Sequence, residues 1–266
     1  MSDPLLTISD LTVQFGGVRA CDSISATVER GELFALIGPN GAGKTTLVNA
    51  VTGIYVPLEG ASVQLHPRVG GSEDLLAHRP YQIARKGVAR TFQNLGLFRG
   101  ETVLTNLMLG RYIHQKTGIF GGGLFTRKAV QQELETRASV EEIIELLDLG
   151  DVRRELVGGL PYGVQKRIEL GRVLAMEPEL LMLDEPMAGM SVEEKQAMIR
   201  YVYAAQDELD MTVFLIEHDM GVVMSIADRV MVLDFGKRIA LGTPAEVQQD
   251  ERVIAAYLGA EVDGAA

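Results

Sequence analysis

The sequence predicts an α/β fold: a mainly parallel sheet, an antiparallel β layer contributed by the N-terminal segment, and a helical subdomain inserted into the chain. Three observations carry that prediction. Three short apolar runs, LFALI at 33–37, LLML at 180–183 and TVFLI at 212–216, have the length of strands covered on both faces. Leu6 to Gly31 contains short alternating apolar and polar runs, the pattern of an antiparallel layer with one face on a core. Between Asn94 and Arg172 helical patterns dominate. These segments fit a single domain of 266 residues, with a core of 1–93 and 173–242, an inserted helical subdomain at 94–172 and a helical tail at 243–266.

In chain order, the β layer precedes LFALI, which runs into the glycine-rich segment GPNGAGKT at 38–45. Lys44 to Val51 reads as a helix starting on that segment. Pro80 to Lys86 is a short helix with proline at its first position, where a missing N–H costs nothing, and Gly87 stops it. Val88 to Gln93 returns to the core as a strand with Gln93 at its exit. Lys128 to Leu149 is the most prominent helical stretch of the insertion. The segment LPYGVQ at 160–165 leads into a helix over Lys166 to Met176, whose Ile168, Leu170, Val173 and Leu174 form an apolar face. Ser191 to Glu194 fits a capping box opening a helix through Met198, Ile199 and Val202, and Thr243 to Glu246 starts the tail in the same way. GIFGGGLF at 118–125 is an apolar, glycine-rich loop suited either to packing under the subdomain helices or to touching a partner.

The segment 38–45 completes the pattern G-x-x-x-x-G-K-[ST] between a strand and a helix. Backbone N–H groups wrap a polyphosphate only where no Cβ blocks the approach, which accounts for Gly38, Gly41 and Gly43, with Pro39, Asn40 and Ala42 between them. Lys44 supplies a point charge for the outer phosphates and the Thr45 hydroxyl an oxygen for Mg²⁺, while Thr46 continues the helix N-terminus that faces the anion. The run 180–183 ends in Asp184-Glu185-Pro186, placing two carboxylates at the sheet edge where such folds bind ligands. Asp184 suits Mg²⁺ and Glu185 suits polarising the water that attacks a γ-phosphate. The run 212–216 ends in Glu217-His218-Asp219, so His218 stands ready to contact that phosphate or orient the water. The helix after LPYGVQ offers a second set of free N–H groups. Since 38–45 already holds the chain's own phosphates, this second set suits the nucleotide of another subunit.

Over nearly its whole length the chain resembles the ATP-binding cassette of ABC transporters. The resemblance implies a P-loop NTPase (RecA-like) core that binds ATP and Mg²⁺ and couples hydrolysis to transport. Phe15 is similar to the aromatic that stacks on adenine, Gln93 to the glutamine linking Mg²⁺ to the permease contact, and His218 to the switch histidine. Leu160, Tyr162, Gly163 and Gln165 lie in the segment that resembles the family signature and would face a nucleotide held by a second cassette, identical or sister. Pro161 stands where the signature has serine and Tyr162 where it has its first glycine. After Pro186 the usual leucine and aspartate are replaced within Ala188 to Ser191. The resemblance further implies transmembrane permease subunits, a substrate-binding protein and a peripheral location on the cytoplasmic face of the cell membrane. FQNL at 92–95, LFR at 97–99, LPYG and VIAAYLG at 253–259 resemble the subgroup that energises uptake of branched-chain or other hydrophobic amino acids, with relatives handling urea and short amides.

Composition narrows the alternatives. A formal charge of −11, from 36 acidic against 25 basic residues, argues against a nucleic-acid surface. The single cysteine, Cys21, excludes an internal disulfide and fits a reducing compartment. No run approaches the roughly 18 uninterrupted apolar residues of a membrane span, and the start lacks a signal-peptide pattern, so a transport role requires a transmembrane partner. A P-loop GTPase or kinase would share 38–45 but leaves LPYGVQ unexplained and lacks a guanine-reading Asn/Thr-Lys-x-Asp motif. A soluble cassette acting on ribosomes or DNA usually carries two cassettes or a long coiled-coil insertion, and neither is found here.

Overall fold

The computed structural model describes residues 3–91, 96–114 and 127–263. The chain opens with β1 (Pro4–Phe15) and β2 (Val18–Glu29), followed by β3 (Leu33–Ile37), α1 (Lys44–Val51), β4 (Ser62–Leu65), β5 (Glu73–Asp74), α2 (Pro80–Arg85) and β6 (Val88–Arg90). The inserted helices are α3 (Val103–Gly110), α4 (Arg127–Leu146) and α5 (Tyr162–Leu174). The chain then returns through β7 (Leu180–Asp184), α6 (Val192–Glu208), β8 (Thr212–Ile216), α7 (Met220–Ile226), β9 (Arg229–Asp234) and β10 (Lys237–Gly242), and closes with α8 (Pro244–Gln249) and α9 (Glu251–Asp263).

The strands form two sheets. One has the order β2-β1-β4-β5 and is antiparallel throughout. The other has the order β10-β9-β3-β8-β7-β6 and is parallel except for the β9–β10 hairpin at its edge. All five residues of β3, β7 and β8 are buried; because successive side chains face opposite sides of the sheet, both faces are apolar, and the polar residues Asp184 and Thr212 stand only at strand ends. Phe34, Leu180, Met182, Phe214 and Ile216 point to the core shared with the antiparallel layer, where the Phe34 and Phe214 rings meet at 5.3 Å. Leu181, Leu183, Val213 and Leu215 point to the opposite core, built with α3, α4, α5 and α6.

The inserted helices therefore share a core with the sheet. At the α3–α5 crossing a Cβ on Gly110 would collide with the Arg172 carbonyl oxygen, so the two backbones approach as only glycine permits. α5 starts at Tyr162, earlier than the expected Lys166, and runs past residue 172 into the segment assigned to the core. α4 ends at Leu146 rather than Leu149, just before Asp148 adopts a left-handed φ of 52°. β6 stops at Arg90, although the Thr91 N–H still donates to Met182 O at 3.0 Å; Gln93 and the rest of 92–95 lie outside the described residues, as does GIFGGGLF. Both expected capping boxes form, Ser191 with Glu194 and Thr243 with Glu246. Among the described residues no helix is long and apolar enough to cross a membrane.

Candidate functional site

Because β8 lies between β3 and β7, the loops leaving these three strands converge at one edge of the sheet. They bound a cleft of about 240 Å³ lined by Asn40 to Thr46, Ala20, Glu185 and His218. Within it, the first intrahelical bond of α1 runs from Leu47 N–H to Gly43 O at 2.9 Å. The N–H groups of Gly43, Lys44, Thr45 and Thr46 thus have no helical acceptor. Gly43 has φ 102°, and a Cβ there would collide with Ala20 O, so glycine is required on both counts. The loop is braced from behind by the β9–β10 turn, where Gly236 N–H donates to Ala42 O at 3.0 Å and Asp22 N–H donates to Gly236 O at 2.8 Å. Lys44 is buried, and its Nζ donates to Gly38 O at 2.7 Å and Pro39 O at 2.9 Å. Burial lowers the Lys44 pKa, while the nearby Glu185 and Asp184 carboxylates act to raise it.

Asp184 ends β7 with a side chain only 2% exposed. Its Oδ2 accepts from Arg90 Nη2 at 2.8 Å, and its backbone N–H donates to Thr91 Oγ1 at 3.0 Å. Its Oδ1 is buried and has no hydrogen-bond partner among the described residues. Glu185 follows with a left-handed φ of 51°, its N–H donating to Ile216 O at 2.9 Å. The Glu185 carboxylate Oε1 and His218 Nε2 lie 2.6 Å apart. These two side chains, which sequence reasoning drew from separate strands, are brought into direct contact.

The signature residues divide into two sets. Leu160 is buried in the core that the inserted helices share with the sheet, and Gln165 is buried with Nε2 donating to Leu160 O at 2.7 Å. Tyr162 and Gly163 instead meet the segment after Pro186: the Tyr162 hydroxyl donates to Ala188 O at 3.2 Å, and a Cβ on Gly163 would collide with the Glu194 carboxylate. The α5 N-terminus, expected to present its N–H groups to an anion, thus has Glu194 beside it. Pro161 occupies the N-cap and provides no side-chain cap. Phe15 is half-exposed and meets Tyr55 edge to face with centroids 5.0 Å apart.

Sequence reasoning missed two groups at this edge. Arg90 is paired with Asp184 and also donates to Asn49 Oδ1 at 2.6 Å and Thr52 Oγ1 at 3.3 Å; the available signal was an arginine in a short apolar strand, which needs an acceptor wherever it is buried. Glu217 is buried, and burial raises its pKa against the backbone N–H groups of Met187 and His218 that donate to it. Its position beside His218 in the sequence gave no indication of either bond.

The arrangement fits a polyphosphate with a divalent cation. The N–H groups of 43–46 and Lys44 face one cleft, and the buried Asp184 Oδ1, which has no hydrogen-bond partner among the described residues, supplies an acceptor at the neighbouring strand end. Among the described residues no three His, Cys, Asp or Glu side chains converge as a metal cage; Mg²⁺ does not need one, because it is usually held by one or two carboxylates together with phosphates and water.

Comparison with known proteins gives the same picture. Residues 21–188 match the family model described as ABC transporter, and residues 237–263 match that described as branched-chain amino acid ATP-binding cassette transporter. The chain is 41% identical over 262 residues to the high-affinity branched-chain amino acid transport ATP-binding protein LivG of Salmonella typhimurium, covering 97% of this chain and 99% of that one. It is 39% identical over 259 residues to the corresponding BraF protein of Pseudomonas aeruginosa, with the same coverage. Among solved structures it is similar to the ADP conformation of an ATP-binding cassette of an ABC transporter, with a TM-score of 0.82 and 28% identity over 96% of this chain and 99% of that one. A nucleotide-free ATP-binding cassette gives a TM-score of 0.80, also at 28% identity, over 96% and 98% of the two chains. Its length, sheet order and phosphate loop are accounted for together by one conclusion: the chain belongs to the ABC transporter family, as an ATP-binding cassette.

Proposed function

We propose that this cassette binds Mg²⁺-ATP between Gly38 and Thr46 and hydrolyses it to energise a membrane importer of branched-chain or other hydrophobic amino acids. The observation that carries the hydrolytic part is the 2.6 Å contact between Glu185 and His218 at the mouth of the phosphate cleft. Lys44 and the free N–H groups of 43–46 bind and orient the phosphates. Glu185 Oε1 accepts a proton from the attacking water, and His218 Nε2 fixes the direction of that carboxylate. Asp184 Oδ1, the Thr45 hydroxyl and Gln93 are the groups that would hold Mg²⁺. When bound, the ion neutralises charge developing on the phosphate oxygens. Phe15 stacks on the adenine, with Tyr55 supporting its ring.

Tyr162 and Gly163 contribute to the nucleotide site of a second cassette, identical or sister, and Leu160 and Gln165 shape the segment that carries them. Permease subunits and a substrate-binding protein complete the system at the cytoplasmic face of the membrane. The amino-acid class is supported by the names of the LivG and BraF relatives and by the match at 237–263.

The test is Mg²⁺-dependent ATP hydrolysis by wild type and Glu185→Gln, with nucleotide affinity and oligomeric state followed in parallel. The variant should bind ATP, dimerise and fail to turn over, and Lys44→Ala should lose affinity. Full turnover by Glu185→Gln removes the carboxylate from its role as base, and undiminished binding by Lys44→Ala removes the loop from its role.

A further inference from the structure

We infer that Glu217 is a positioning residue for hydrolysis: its carboxylate ties the backbone of the turn after Glu185 to the backbone of His218 and so fixes the Glu185–His218 pair. The inference rests on the ATPase reading above. Glu217 directly follows β8 and is 4% exposed. Its Oε1 accepts the Met187 N–H at 2.9 Å and its Oε2 accepts the His218 N–H at 3.1 Å. The Glu185 N–H donates to Ile216 O at 2.9 Å, one residue before Glu217, and the circuit closes through the 2.6 Å contact between Glu185 and His218.

Two features show why this circuit needs a carboxylate. Glu185 has φ 51°, a conformation that is uncommon for a residue with a side chain and persists where its surroundings hold it. Met187 is buried, so its N–H needs an acceptor. One charged side chain takes both donors, and charge-assisted bonds of this kind are the stronger class. An apolar side chain of the same size would fill the space and hold neither N–H. The turn from Pro186 to Met190 would then relax, carrying the Glu185 carboxylate away from His218 Nε2. Glu217 acts only through these neighbours and has no role in binding nucleotide.

The experiment compares wild type, Glu217→Met, Glu217→Gln and Glu185→Gln in kcat, KM for Mg²⁺-ATP, nucleotide affinity and site-resolved amide hydrogen exchange. Glu217→Met should lower kcat roughly 10- to 100-fold, the scale expected of an ångström-sized misplacement, with KM and affinity within about twofold of wild type. The Met187 and His218 amides should exchange about tenfold faster or more, while those of β3 and β7 stay protected. Glu217→Gln keeps one acceptor oxygen and should recover part of the lost turnover. Wild-type kcat in Glu217→Met overturns the inference, as does a loss of kcat accompanied by faster exchange throughout the sheet. Wild-type turnover in Glu185→Gln together with accelerated Met187 exchange in Glu217→Met overturns the base assignment, and with it the positioning role, leaving the bridge as a feature of the fold alone.

Discussion

Replacing Arg90 with Met should be among the most damaging single changes near the site, and the structure sets its size. The Arg90 and Asp184 side chains are 7% and 2% exposed and meet at 2.8 Å. Methionine fills comparable space but leaves the Asp184 carboxylate buried with neither oxygen paired, because Oδ1 already has no partner among the described residues. Removing one member of a buried ion pair costs about 3–5 kcal/mol. In a protein of this size that corresponds to a fall in melting temperature of roughly 6–20 °C. The reverse change, Asp184→Asn, should cost less, about 1–3 kcal/mol, because Arg90 keeps Asn49 Oδ1 at 2.6 Å and Thr52 Oγ1 at 3.3 Å as acceptors. The double variant should be more stable than Arg90→Met alone, since it no longer buries an unpaired charge. Urea denaturation followed by circular dichroism, run as a double-mutant cycle, measures all three. An Arg90→Met variant within about 1 kcal/mol of wild type, or one no worse than Asp184→Asn, would refute this account of the pair.

Other consequences can be measured on the same protein. Gly43→Ala forces a side chain into φ 102° and against Ala20 O; it should cost at least about 1–3 kcal/mol from backbone strain and abolish nucleotide binding, and an unchanged denaturation midpoint would contradict the geometry. Ser191→Ala removes the acceptor of the Glu194 N–H, now at 3.2 Å, and should destabilise by about 1 kcal/mol, against no change if the cap is idle. Cys21 is fully buried, with its thiol pKa pushed up from 9.0 to about 12 by burial. Native protein should therefore resist alkylation at pH 8 until it unfolds. The unfolded thiol ionises near its ordinary value while the folded one stays protonated, so Cys21 imposes no penalty at neutral pH and lowers stability as pH climbs from about 9 to about 12. Stability that is flat across that window in wild type relative to Cys21→Ala would count against the burial effect.

The parts legible in the sequence are those governed by local pattern. LFALI, LLML with Asp184, and TVFLI became β3, β7 and β8 because a strand buried on both faces reads as a short apolar run with polar residues only at its ends. The boxes at Ser191 and Thr243 were readable because a cap is satisfied within four residues. What could not be read depends on contacts distant in the chain. Arg90 meets Asp184 across 94 positions, and Met187 meets Glu217 across 30; neither pairing leaves a periodic trace. The signature segment shows the same limit from the other side. Sequence similarity grouped Leu160, Tyr162, Gly163 and Gln165, but the start of α5 turns Leu160 and Gln165 inward while Tyr162 and Gly163 meet Ala188 and Glu194.

The close crossing at Gly110 has a mechanical consequence. With no side chain between the backbones of α3 and α5 at Gly110, the pair has little room to shear there. α5 has 13 residues and is therefore about 20 Å long. Near one end Tyr162 holds Ala188, three residues after Glu185; near the other, Arg172 donates to Gly96 O. A tilt of about 10° about either end sweeps the opposite end through roughly 3 Å, comparable to the length of a hydrogen bond. The contacts at Ala188 and Gly96 are therefore coupled through a single helix, so that a shift at one end alters the geometry at the other.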